Sequence, residues 1–85
     1  MDRYIPLKSN FTEKPVLLID GQASLEDLHT CALQRIRAAA DLLETLTCLS
    51  FYQADTKDTS HIVSALYLLI QDGCELLETA QLQTN

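Results

Sequence analysis

The sequence predicts an all-α protein, an antiparallel two-helix hairpin with an extended N-terminal arm, dimerising into a four-helix bundle. Three observations lead there. Two long segments repeat apolar residues at alternating steps of four and three, the spacing of one helix face. Both prolines, Pro6 and Pro15, stand before those segments. The second segment is apolar on more than one side, and a lone hairpin would leave part of it in water.

Residues 1–23 form the arm. Up to Lys14 they mix polar, aromatic and charged types without a period, which predicts an irregular, partly mobile segment. Val16-Leu17-Leu18-Ile19 is an apolar run stopped by Asp20-Gly21, a turn dipeptide. A strand over 16–19 would need a partner from another chain to pair its backbone groups. The favoured alternative is an extended segment lying over the helices.

The hairpin occupies 24–82, with helices expected over about 25–50 and 60–80. Ser24 is placed to cap the first helix, and Glu26 and Asp27 suit the positive end of its dipole. From Leu25 the series Ala32, Ile36, Ala39, Leu43, Leu46 climbs one face. Gln34, Arg37, Asp41 and Glu44 fall on the other. Residues 50–59 lose the period and gather Asp and Thr, as a connection does. Thr59 is the favoured cap of the second helix, with Asp58 and Ser60 as alternatives. There Ile62, Leu66, Leu69, Gly73, Leu76 and Ala80 repeat, flanked by Val63, Ile70 and Leu77. The tail from Gln81 is expected to fray. Gly73 costs about 1 kcal/mol relative to Ala in a helix interior. Its place in the middle of the stripe, with Ala32 and Ala39 available on the first helix, predicts a close crossing there.

Composition narrows the function. Among 85 residues, 12 acidic side chains stand against 6 basic ones, a net charge of −6. That balance argues against nucleic acid or an anionic membrane as partner, since phosphate contact needs clustered Lys and Arg. Met1-Asp2-Arg3-Tyr4-Ile5-Pro6 lacks the basic and apolar regions of a secretory signal. The longest unbroken apolar stretch, Ala65 to Ile70, is far short of the roughly 20 residues of a membrane span. Cys31, Cys48 and Cys74 are odd in number and widely spaced, which predicts reduced, buried thiols and a cytoplasmic protein.

Catalytic patterns are sparse. His29 and His61 each lie near the start of a helix, so an antiparallel hairpin holds them at opposite ends. Gly21 and Gly73 are the only glycines, too few for a phosphate-cradling loop. Glu26-Asp27-Leu28-His29 has the Glu-x-x-His spacing of di-metal carboxylate bundles, and antiparallel packing would bring Glu75 and Glu78 near it. An acid at a helix start needs no metal to explain it, and no metal or other cofactor is expected. Arg35 and Arg37 read as solvated or paired with Asp41. Phe51, Tyr52 and Tyr67 read as core or loop-packing aromatics.

Ile19-Asp20-Gly21, then Ser24-Leu25-Glu26-Asp27-Leu28 opening an alanine-rich helix, then Ala65-Leu66-Tyr67-Leu68-Leu69 and Leu76-Leu77, resemble a family of short uncharacterised proteins from pseudomonads, grouped as a domain of unknown function. The resemblance covers roughly residues 16 to 80. It implies a bacterial cytosolic helical hairpin and supplies no catalytic residues. This chain departs from it in a longer, aromatic-containing connection.

The function expected from these readings is a non-enzymatic interaction or regulatory module acting as a homodimer. Ile36, Leu43, Leu46, Ile62, Leu66, Leu69, Ile70 and Gly73 would form the hairpin core and dimer interface, and Leu69→Asp would disrupt it. Two alternatives stand beside it, the first from a different class and the second differing only in oligomeric state and the need for a partner. One is a metal-binding bundle with enzymatic activity, built on Glu26, His29, Glu75 and Glu78. The other is a monomeric adaptor holding a partner helix in an apolar groove.

Overall fold

A computed structural model describes residues 3–47 and 56–84. Its elements are β1 (Tyr4–Pro6), β2 (Leu18–Asp20), α1 (Leu25–Thr47) and α2 (Thr56–Thr84). Ile36 of α1 lies against Gly73 of α2, and Leu28 shares a cluster with Ala80, so the helices run antiparallel, as the short connection predicts.

α1 begins where the capping chemistry places it. The Ser24 hydroxyl accepts the Asp27 amide at 3.0 Å, and the Leu28 amide donates to the Ser24 carbonyl. The expected residues 48–50 of this helix, the aromatic pair Phe51 and Tyr52, and Cys48 lie outside the described residues.

α2 is longer than its apolar period. It starts at Thr56, so Asp58, Thr59 and Ser60 are helical rather than caps. This first turn is exposed. A solvent-exposed helical turn shows no amphipathic signal, while Asp58 suits the dipole. At the other end the tail does not fray at Gln81. The Gln83 side-chain amide donates to the carbonyls of Gly21 and Ala23 at 2.8 and 2.7 Å, tying the last turn of α2 to the turn before α1.

The arm departs most from expectation. Its strand spans 18–20 rather than 16–19, and its partner comes from the same chain. β1 pairs with β2 antiparallel, with Tyr4 opposite Asp20, Ile5 opposite Ile19 and Pro6 opposite Leu18. Pro6 has no amide to donate, and the ladder is extended beyond it by Leu7 N–H to the Leu17 carbonyl. Asn10 ties the two limbs together. Its amide nitrogen donates to the carbonyls of Leu7 and Leu17, and its oxygen accepts the amides of Val16 and Leu17. Gly21 turns the chain where its amide meets the Arg3 carbonyl at 2.6 Å. A Cβ there would stand 2.8 Å from that oxygen, so only glycine fits.

The arm covers one end of one side of the hairpin. Ile19, Leu28 and Ala80 are buried together, with Ile5, Leu7, Ala23, Leu25 and Leu76 against them. The helical members of this cluster lie before residue 29 on α1 and after residue 75 on α2. The molecule is a slab of 49 × 29 × 15 Å with a radius of gyration of 15.4 Å. A compact domain of this length has about 12 Å.

Candidate interaction surface

A buried carboxylate and a half-buried one fasten the arm. Glu75 is buried, and both its oxygens accept the Lys8 amide, at 3.1 and 3.0 Å. Gln71, one turn earlier on α2, donates to the same carboxylate. The Ser9 hydroxyl donates to Asp72 at 2.6 Å. On the outer edge of the sheet, Arg3 and Asp20 form a two-point ion pair at 2.9 and 3.0 Å. The Arg3 guanidinium, with help from the Gln22 amide, holds the Asp20 carboxyl well below its ordinary value, at about 2.

These bonds take Glu75 away from the metal set considered above. Glu26, His29 and Glu78 are exposed. Among the described residues no three His, Cys, Asp or Glu side chains come together to hold an ion. Arg35 does not turn to Asp41; its guanidinium donates to the Cys31 carbonyl on its own helix. With Asp72 and Cys31 it borders a hollow of about 270 Å³ under the arm, where Asp72 is already bonded to Ser9. The expected thiol burial does not hold for the described cysteines, since Cys31 is half-buried and Cys74 exposed. Steps of four and three cannot tell a covered stripe from a bare one.

The arm meets α1 near Cys31 and Arg35 and α2 near Asp72, Glu75 and Thr79. On α1, Leu33, Ile36, Ala40 and Leu43 follow a three-four spacing about 140° around the helix from those contacts, at roughly 100° per residue. On α2, Val63, Ile70 and Leu77 repeat every seven residues, roughly 170° from Asp72, Glu75 and Thr79, and the arm approaches this stripe only at its edge, where Phe11 meets Tyr67. Both stripes therefore lie on the side of the hairpin away from the arm. Leu33 is 60% exposed, Val63 58%, Leu43 45% and Ile70 42%.

The expected interface residues divide accordingly. Gly73 is buried at the crossing, and Ile36, Leu46, Ile62, Leu66 and Leu69 are half-buried. Leu43 and Ile70 face water instead. Leu33, absent from the α1 series, and Val63 and Leu77, read as flanks of the α2 stripe, are as bare as these two. Tyr67 is not a core aromatic: it is nearly half exposed, with its ring 6.5 Å from that of Phe11.

Val63, Leu66, Tyr67, Ile70 and Gln71 line a groove of about 350 Å³ on α2. Small-molecule sites combine apolar walls with a few convergent polar groups. Here the Gln71 amide is committed to Glu75, and the groove offers mainly apolar surface. Among the described residues, no helix is long and apolar enough to cross a membrane. In comparison with known proteins, no family model, no curated protein and no solved structure matches this chain.

Proposed function

We propose that the protein is a non-enzymatic protein–protein interaction module of the cytoplasm that works as a homodimer. One observation carries this reading: the single chain leaves far more surface in water than its mass requires. It exposes 6591 Å², and among the described residues no large side chain is fully buried. A folded monomer of this mass exposes about 5,000 Å². The difference, about 1,500 Å², is of the size that each partner of an obligate homodimer hides. The buried carboxylate of Glu75 and the half-buried one of Asp72 serve the arm, which favours a binding role over chemistry.

The test is the molar mass by light scattering on a size-exclusion column, over a dilution series. Twice the 9.5 kDa chain mass is expected. A single-chain mass at every concentration would overturn the homodimer and leave the adaptor that holds a partner helix.

A further inference from the structure

The geometry points to a specific docking face: a second copy of this chain seats on the side of the hairpin opposite the arm, where the stripe of Leu33, Ile36 and Leu43 on α1 runs beside that of Val63, Ile70 and Leu77 on α2. This deepens the homodimer reading and rests on it. The arm's outer surface is the competing patch, since Phe11, Val16, Leu17 and Leu18 are also exposed.

Three features favour the helical face. Its spacing is that of helices meeting knobs into holes, and two such faces can pack on each other about a twofold axis as a four-helix bundle. The arm patch has no comparable repeat. Second, the α2 stripe runs 14 residues, about 21 Å of helix, without an Asp, Glu, Lys or Arg at any of its three positions or at Leu66 and Cys74 between them. The α1 stripe is equally free of them, although 18 of the 85 residues are charged. Interface cores are depleted of charge in this way. The arm patch instead is interrupted by Glu13 and Lys14 and bordered by the Arg3–Asp20 pair.

The third feature is area. The surplus surface of about 1,500 Å² exceeds the roughly 800 Å² per partner of a standard interface. A short patch on a three-residue strand and its loop would hide only part of it. Two helices side by side supply a face long enough to hide more.

The experiment uses the full chain and three variants: Ile70→Asp and Leu33→Asp on the helical face, and Leu18→Asp on the arm. Dimer dissociation is followed by light scattering on dilution, with circular dichroism reporting the helices. All three positions face water in the single chain, so an Asp there leaves the hairpin's own core intact. The helical-face variants are expected to weaken the dimer about 30-fold or more with the helical signal retained, and Leu18→Asp to leave it unchanged. Dimers that survive both helical-face changes, or that dissociate with Leu18→Asp, overturn the docking face while leaving the homodimer standing. A wild-type chain that is monomeric throughout overturns the homodimer itself. Wild-type protein also answers without substitution, by relaxation of methyl groups with a soluble paramagnetic probe. Shielded Leu33 and Ile70 methyls beside open Leu18 methyls are expected, and the reverse pattern rejects the face.

Discussion

Asp20 shows how much of the arm depends on single side chains. Its carboxylate binds Arg3 at two points and also accepts the Gln22 amide, so it links β1, β2 and the turn before α1. These partners favour the ionised form and lower its folded pKa to about 2. An unfolded Asp titrates near about 3.9. The pair therefore stabilises the fold fully above about pH 4, and that contribution fades as the pH falls from there towards about 2. Asp20→Asn should lower the urea midpoint by a constant amount above that window, with the two proteins converging below it. A difference undiminished at pH 2 would mean that the charge is irrelevant. Asn10 and Glu75 act in the same manner, each satisfying backbone groups of a segment too short to pair them all itself.

At the scale of elements, the contact that sets the hairpin is the crossing at Gly73. A Cβ built there would lie 2.8 Å from Ile36 Cγ1 and 3.4 Å from the Ala32 carbonyl oxygen. Helix propensity alone makes Gly73→Ala stabilising by about 1 kcal/mol. The contact at the base of a branched side chain opposes it, since overpacking of this kind costs about 1–3 kcal/mol. We expect the steric cost to win, so that Gly73→Ala lowers Tm. In an Ile36→Ala background the same change should raise it, and a double-mutant cycle by thermal unfolding measures the coupling. Additivity within about 0.5 kcal/mol would remove the crossing from the account. Much of this element scale was legible in the sequence. The two stripes, the Ser24 cap and the glycine among larger apolar residues are local signals, spaced by the helix's own geometry. Leu69, half-buried, shows the limit: Leu69→Asp would disturb the hairpin itself and cannot isolate a dimer contact.

For the whole molecule, charge and shape oppose each other. Each chain carries a net charge of −6, so two copies repel, while a 15 Å thick slab offers apolar faces it cannot fold over. If the proposed dimer is held by its apolar face, salt should strengthen it. The screening length falls from about 30 Å at about 0.01 M to about 8 Å at about 0.15 M salt, which removes most of the repulsion between copies. The dimer dissociation constant, measured by sedimentation equilibrium, should tighten by about 10-fold over that range. A dimer that loosens with salt would instead be held by ion pairs. The −6 balance was plain in the sequence; the bare faces were not, because an apolar stripe reads the same whether or not something covers it.

The sequence by itself determined the two helices, their antiparallel pairing and the turn at Asp20-Gly21. Each rests on residues a few positions apart or on a short connection. Tertiary structure alone decided the pairing of β1 with β2, the fastening of the arm by Glu75 and Asp72, and the tie from Gln83 to the turn before α1. Those contacts join residues 12 to 67 positions apart. No local period records such a contact, because its free energy is realised only when distant segments meet. By deciding which side of the hairpin the arm covers, they also decided that Leu33, Leu43, Val63 and Ile70 would face water.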